Sequence, residues 1–130
     1  MSSILLIEDN EDTRIPLRRL LEIDGHDVQT AADGEAGYLL ATRTRPDIIV
    51  TDFMMPRLDG LSLIERLRND PYLSDTQVIL ISAFCKDQET ILEAGADIYL
   101  QKPFDYDQLV ESIAVLEEAR FGLKTVNARN

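Results

Sequence analysis

Short apolar runs alternate along the chain with longer amphipathic stretches, and this pattern predicts five strand-helix units. The predicted strands cover residues 4–8, 27–31, 48–52, 78–82 and 98–101. The predicted helices cover residues 14–22, 35–44, 61–69, 88–93 and 106–120. Such regular alternation is typical of an α/β fold built around a parallel sheet.

Three of the predicted strands consist almost entirely of apolar residues. They read "ILLIE" at residues 4–8, "IIVTD" at 48–52 and "VILIS" at 78–82. Strands that are covered by helices on both faces have such unbroken runs, whereas half-exposed strands alternate polar and apolar residues. We therefore expect these three strands at the centre of the sheet.

The first predicted helix contains a proline, Pro16. An interior proline removes a hydrogen bond and clashes with the preceding turn, whereas the amide hydrogens of the first turn have no intrahelical partner anyway. We therefore predict that this helix begins near Thr13, with Asp12 or Thr13 as its N-cap. Glu11 and Asp12 would then be ordinary acidic residues that favour the positive end of the helix dipole.

Length and charge narrow the classes of function. The chain has 130 residues, enough for one domain with its own core, which we place at residues 1–120, with a tail or linker at 121–130. A net charge of −11 argues against a nucleic-acid partner. With a single cysteine, Cys85, and no apolar run long enough for a bilayer, we expect a cytoplasmic protein without a membrane partner.

Charged and hydroxyl side chains stand at the ends of the first, third, fourth and fifth predicted strands. They are Glu8, Asp9, Asp52, Ser82 and Lys102. Parallel strands end at a common edge, where such folds bind ligands, so these groups should meet there. Two carboxylates about 4 Å apart repel each other by roughly 4 kcal/mol at an effective dielectric of about 20, so the three acids call for a cation. Oxygen ligands suit Mg2+.

Asp52 is the best placed of these carboxylates to act as a nucleophile. It ends a central strand, between the acidic pair and Lys102. Aspartate forms covalent phosphoryl intermediates when nearby groups neutralise the charge on the transferred phosphoryl group. Lys102 could pair with one phosphate oxygen, and Ser82 could donate a hydrogen bond to another.

Four motifs carry a resemblance to a known family. They are "IED" at residues 7–9, "VTDFMMPRLDG" at 50–60, "LISA" at 80–83 and "GADIYLQKPF" at 95–104. Together they closely resemble the receiver domain of two-component response regulators, over roughly residues 3–118. The resemblance implies a flavodoxin-like, doubly wound sheet of five parallel strands in the order 2-1-3-4-5, with five helices.

The resemblance also implies a role for each group at the acidic edge. Asp52 would be the phosphoacceptor and Asp9 a direct Mg2+ ligand, while Glu8 would act mainly through a metal-bound water. The backbone carbonyl of Met54 would supply the remaining protein oxygen. Mg2+ would be the cofactor.

Four further positions match the family's pattern around the phosphate. Lys102 would bind the phosphate, and Pro103 would follow a cis peptide bond. Ser82 would supply the switch hydroxyl and Tyr99 the switch aromatic ring. Phosphorylation would move Ser82 and let Tyr99 turn inward, which would reshape the face formed by the fourth helix, the fifth strand and the fifth helix.

Residues near the phosphoacceptor partly match the family's pattern and partly depart from it. Asp59 and Gly60 would form the turn that ends this loop. Met54 and Phe84, however, occupy the two positions that influence dephosphorylation in the family, and neither can orient a hydrolytic water. We therefore expect the phosphoryl group on Asp52 to persist longer than in relatives with polar residues there.

The function implied is a switch and not an enzyme. A histidine kinase or a histidine phosphotransfer protein would supply the phosphoryl group, and the output would be a changed affinity for a downstream protein. The protein would be a monomer or a weak dimer, without direct contact to nucleic acid.

Three alternatives stay open on the residues. A phosphatase of the haloacid dehalogenase type would also use an aspartyl phosphate, but it needs a second aspartate where Met54 stands. A flavin carrier would need a phosphate loop after the first strand, where this chain has carboxylates. The chain could also be the amino-terminal receiver of a larger regulator, although we favour a stand-alone receiver, because no basic recognition helix follows and Ser112 replaces the arginine usual in winged-helix regulators.

Overall fold

A computed structural model of the chain describes residues 1–83 and 88–129, with residues 88 and 122–129 described as backbone only. The strands are Ser3–Ile7 (β1), Asp27–Ala31 (β2), Ile48–Asp52 (β3), Gln77–Ser82 (β4) and Ile98–Gln101 (β5). The helices are Glu11–Ile23 (α1), Gly34–Thr44 (α2), Gly60–Asn69 (α3), Gln88–Glu93 (α4) and Tyr106–Arg129 (α5). Most boundaries lie within one residue of the prediction. Phe84 and Cys85 lie outside the described residues.

The five strands form one parallel sheet in the order β2-β1-β3-β4-β5, which confirms the predicted topology. The register aligns the strand ends: Ile7 lies opposite Thr51, and Asp52 lies opposite Ile81. One residue further along, Glu8 is therefore level with Asp52. The sheet thus brings the residues that follow β1 and those that end β3 to one edge.

Apolar side chains fill both faces of the sheet. Leu5 and Ile7 pack into a cluster with α2, α3 and α4, while Ile4 and Leu6 pack into a second cluster with α1 and α5. All four side chains are almost fully buried, because β1 has helices on both sides. The unbroken apolar runs of the central strands have this cause, as expected.

Helix α1 begins earlier than the sequence predicted. Its first residue is Glu11, and its N-cap is Asn10, whose side-chain oxygen accepts a hydrogen bond from the Asp12 amide at 2.9 Å. The prediction of Asp12 or Thr13 as the cap was therefore wrong. Pro16 lies inside the helix, beyond its first turn. Glu11 and Asp12 do lie in that first turn, as expected for acids near the positive end of a helix dipole.

Helix α5 extends further than predicted. Its backbone stays helical to Arg129, whereas the sequence pattern predicted an end at Arg120. The core stripe of Leu109, Ile113 and Leu116 covers only the first part of the helix. The prediction rested on the apolar periodicity of this helix. Because the periodicity ends before the helical backbone does, the predicted helix is too short.

Candidate functional site

Three carboxylates gather at the carboxyl edge of the sheet. Glu8 and Asp9 follow β1, and Asp52 ends the neighbouring strand β3. Ligand oxygens from all three lie within 4.8 Å of one another. Glu8 is buried, Asp52 is half-buried and Asp9 is exposed. The group therefore runs from the interior of the domain to its surface.

Lys102 supplies the positive charge of the site. Its Nζ lies 3.0 Å from Asp52 Oδ2 and 3.4 Å from Glu8 Oε1. It follows β5, its amide donates to the Ser82 carbonyl at 2.8 Å, and its peptide bond to Pro103 is cis, as the resemblance implied. Burial disfavours the charged ammonium, but the hydrogen bond and charge of Asp52, aided by Glu8, raise the pKa of Lys102 overall.

Glu8 is the most buried of the three carboxylates. Its side chain is 4% exposed, and Oε2 has no hydrogen-bond partner among the residues that the structure describes. Burial, together with the hydrogen bond and charge of Asp52, raises the pKa of Glu8 to about 7. Buried polar atoms are rarely left unpaired. Carboxylate oxygens of Asp9 and Asp52 also lie within 4.8 Å of a Glu8 oxygen. The residues present thus fit a small, hard cation such as Mg2+.

Asp52 is held in one orientation from both sides. Its Oδ1 accepts a hydrogen bond from the Phe53 amide at 2.9 Å, and Oδ2 contacts Lys102. Its side chain is 13% exposed. A carboxylate that is fixed, beside a cation and open to solvent on one side can react with an electrophile that approaches from outside.

Ser82 and Tyr99 lie next to each other on β4 and β5. Ser82 is 1% exposed at the end of β4, and the Tyr99 hydroxyl donates to the Ser82 carbonyl oxygen at 3.3 Å. The Tyr99 side chain packs into the cluster shared with α2, α3 and α4. The Tyr99 ring is therefore already buried in this structure.

The loop of residues 53–59 leads from Asp52 to α3. Asp59 is the N-cap of α3, with its Oδ1 accepting from the Ser62 amide at 2.8 Å. Gly60 begins the helix, and its amide donates to the Phe53 carbonyl at 2.9 Å. The two residues thus close the loop at its far end, while the Met54 side chain is exposed.

Sequence reasoning missed three contributors to this edge. The Arg14 guanidinium donates to the backbone carbonyl of Glu8 at 2.9 Å, and Thr13 and Phe104 line the depression around Glu8 and Asp52. Phe104 stands next to Pro103 in the sequence and could have been found from that position. Arg14 and Thr13 depend on where α1 begins, which the sequence placed too late.

The comparisons with known proteins agree with this geometry. Residues 4–114 match the family model of the response regulator receiver domain. The chain therefore belongs to the receiver domain family of response regulators, the proteins that receive the signal in two-component signal transduction.

Two curated relatives show the same relationship. The chain is 37% identical over 118 residues to the "DNA-binding dual master transcriptional regulator RpaA" of Synechocystis, covering 89% of this chain and 49% of that protein. It is 39% identical over 115 residues to the "Response regulator MprA" of Mycobacterium leprae, covering 87% of this chain and 50% of that protein. The chain thus spans about half the length of these relatives.

Solved structures support the fold. A Francisella response regulator receiver domain has a TM-score of 0.84 at 32% identity, with 92% of this chain and 99% of the other covered. A receiver domain from Clostridium thermocellum has a TM-score of 0.85 at 26% identity, with 95% and 99% covered.

Within the described residues, no helix combines the length and the apolar character that crossing a membrane requires.

Proposed function

We propose that this receiver domain accepts a phosphoryl group on Asp52, with Mg2+ as its cofactor, and passes the signal on as a changed affinity for a downstream protein. The donor would be a histidine kinase or a histidine phosphotransfer protein. The observation that carries this proposal is the position of Asp52, whose carboxylate lies 3.0 Å from Lys102 Nζ and within 4.8 Å of carboxylate oxygens of Glu8 and Asp9. The family supports the class of reaction.

In the proposed transfer, Asp52 is the nucleophile. A carboxylate oxygen of Asp52 would attack the phosphorus of a phosphohistidine, forming a P–O bond while the P–N bond breaks and the imidazole leaves. The hydrogen bond from the Phe53 amide to Oδ1 keeps the other oxygen in a fixed direction. Preorganisation of this kind lowers the barrier, because no reorientation is needed during the reaction.

Lys102 would move from the carboxylate to the phosphoryl group. Its ammonium already contacts Asp52, and it is partly exposed, so it can follow the charge as the charge shifts onto the phosphate oxygens. Glu8, Asp9, Asp52 and the Met54 carbonyl would hold Mg2+, which supplies charge neutralisation for the phosphoryl group when it is bound. Glu8 Oε2, which has no hydrogen-bond partner in the described part of the chain, supports this assignment.

Ser82 and Tyr99 would transmit the event. A phosphoryl group adds roughly −1.5 to −2 charges at neutral pH, and a hydrogen bond from the Ser82 hydroxyl would draw the end of β4 toward it. The Tyr99 hydroxyl donates a hydrogen bond to the Ser82 carbonyl, so a shift of β4 would also move the Tyr99 ring. The affected face, formed by α4, β5 and α5, is where we place the downstream protein.

In this proposal the domain acts as a switch and not as an enzyme that turns over a substrate. Met54 stands where a phosphatase of the related aspartyl-phosphate class needs a second aspartate. Monomers or weak dimers in the cytoplasm suit such a role, and with a net charge of −11 we expect no direct contact of this segment with nucleic acid.

Labelling by a small phosphodonor tests the proposal. Wild type incubated with acetyl phosphate and Mg2+ should gain one phosphoryl group by intact mass, and Asp52→Asn should gain none while keeping its circular dichroism spectrum. Asp12→Asn, an exposed acid of the first turn of α1, is the matched control and should label like wild type. Stoichiometric labelling of Asp52→Asn would refute the assignment.

A second candidate is a receiver that works within a longer regulator. The curated relatives are about twice as long as the matched segment, and the Synechocystis relative is described as DNA-binding. In that case, phosphorylation would change the activity of an attached output domain. Gel-shift measurements on the product of the full reading frame, with and without phosphodonor, separate the two forms of the proposal.

A further inference from the structure

The loop of residues 53–59 contains a strained turn. The Leu58 amide donates to the Pro56 carbonyl at 2.8 Å, and Arg57 between them has a φ of 72°. A bond between residues two apart, around a positive φ, defines the rare and strained form of the γ-turn. A residue other than glycine keeps such a conformation only when the surrounding structure holds it there. A contact from outside the turn must therefore supply that support.

Gly34, the first residue of α2, makes this contact. It lies so close to Leu58 that a Cβ on Gly34 would overlap the Leu58 carbonyl oxygen and stand 2.7 Å from Leu58 Cβ. The backbone of α2 thus touches the backbone of the loop without a side chain between them. Any larger residue at position 34 must displace either the helix or the loop.

Helix α2 is the better anchored of the two partners. Asp33 caps it, with Oδ1 accepting from the Ala36 amide at 2.8 Å. One turn into the helix, Gly37 lies against Ile7 of β1, so closely that an added Cβ would be 2.9 Å from Ile7 Cγ1. A side chain at position 34 should therefore push the strained loop and leave the helix in place.

A displaced loop would move most at its middle, because both of its ends are tied. The Phe53 amide donates to the Ile81 carbonyl at 2.9 Å, and the Gly60 amide donates to the Phe53 carbonyl at 2.9 Å. Met54 and the strained turn lie between these ties. We propose that Gly34 is a positioning residue for the metal site, because it sets the place of the Met54 carbonyl through its contact with Leu58. This inference rests on the proposed Mg2+ site.

Two glycine-to-alanine variants in the same helix test it. Gly34→Ala should raise the dissociation constant for Mg2+ about tenfold, as is typical when support around a metal ligand is changed. Gly37→Ala is the matched control: it also creates a close contact within α2, but against the Ile7 side chain and not against the loop. It should lower the melting temperature while the Mg2+ dissociation constant stays that of wild type. Calorimetric titration with Mg2+ alone measures the affinity, and circular dichroism measures melting.

A third variant approaches the contact from the loop. Leu58→Gly leaves α2 intact and keeps the Leu58 carbonyl, but it removes the Leu58 Cβ beside Gly34 and frees the loop backbone at this position. It should also weaken Mg2+ binding. In backbone amide spectra, the shifts caused by Gly34→Ala should centre on residues 53–59. Wild-type Mg2+ affinity in both Gly34→Ala and Leu58→Gly, or equal losses in Gly34→Ala and Gly37→Ala, would overturn the inference. Failure of wild type itself to bind Mg2+ would instead overturn the proposed function.

Discussion

At the amino edge of the sheet, Glu117 and Arg120 of α5 both bond to Ser2, whereas at the carboxyl edge Glu8 Oε2 has no hydrogen-bond partner among the described residues. Arg120 also donates to Gln77 Oε1 at 3.0 Å, and Gln77 Nε2 donates to the Leu116 carbonyl at 2.8 Å. The polar groups of the amino edge thus pair with one another.

The carboxyl edge instead places like charges together. Glu8 and Asp52 both contact Lys102, and the pKa of Glu8 is raised by burial and by Asp52. By contrast, burial works against the ionised form of Glu117, but the Ser2 hydrogen bond and the charge of the amino terminus outweigh it and lower its pKa. The amino edge thus stabilises the fold, whereas the carboxyl edge gathers like charges that cost stability.

Removal of Lys102 should have the largest effect. Lys102→Met takes away the only cation in contact with Asp52 in the described part of the chain, and the phosphorylation rate should fall by about a hundredfold or more. Rates of labelling by acetyl phosphate measure this loss. Arg18→Met removes an exposed cation of α1 that pairs with Glu22, and it should label at the wild-type rate. A wild-type rate for Lys102→Met would remove Lys102 from the proposed mechanism.

Neutralisation of Glu8 should stabilise the metal-free fold. A carboxyl whose pKa is higher in the folded state than in the unfolded state destabilises the fold when ionised. That destabilisation is present above pH 7 and is lost as the pH falls from about 7 toward 4.5. Glu8→Gln should therefore raise the free energy of unfolding at pH 8 by about 1–3 kcal/mol and weaken Mg2+ binding.

Urea denaturation with a chelator at a series of pH values measures this effect. Glu11→Gln, an exposed acid in the same sequence stretch, should leave the stability unchanged. If the free energy of unfolding of Glu8→Gln equalled that of wild type at pH 8, ionised Glu8 would not destabilise the fold.

Neutralisation of Glu117 should give a smaller effect with the opposite sign. Its lowered pKa means that its contribution to stability is present above its ordinary pKa and is lost as the pH falls through the folded value. Glu117→Gln should lower the free energy of unfolding at pH 7 by about 1 kcal/mol, and the difference should vanish in acid.

The exposed neighbour Glu118 is the control for this variant, and Glu118→Gln should match wild type at each pH. Phosphorylation of Glu117→Gln should proceed at the wild-type rate, because the amino edge lies at the opposite end of the strands from Asp52. A slower transfer would show that the two edges are coupled.

Local pattern was sufficient for most of the fold. The apolar runs of β1, β3 and β4 marked the centre of the sheet, since only strands with helices on both faces have such composition. The local pattern failed at the start of α1, where one polar contact decides which residue caps the helix. Asn10 caps α1 through a single hydrogen bond to Asp12, and a stretch with several acids offers several equal candidates.

Some features of the candidate site could likewise be predicted from the sequence, and others could not. Glu8, Asp9, Asp52 and Lys102 could be named from the sequence because parallel strands bring their ends to one edge. Their unequal burial could not, because it depends on the depth at which each strand ends. The close approach of Gly34 to Leu58 could not be predicted either, since the two residues belong to separate strand-helix units of the chain.

The sequence by itself determined the order of elements, the two-sided core and the chemical types that meet at the carboxyl edge. These follow from periodicity and from the geometry of parallel strands, which are local or general properties. Only the tertiary structure decided three further features. Glu8 is buried with an oxygen that has no hydrogen-bond partner among the described residues, Lys102 contacts both Glu8 and Asp52, and Gly34 of α2 lies against Leu58 in the loop after Asp52. Such features depend on distances between segments far apart in the chain, and packing alone sets those distances.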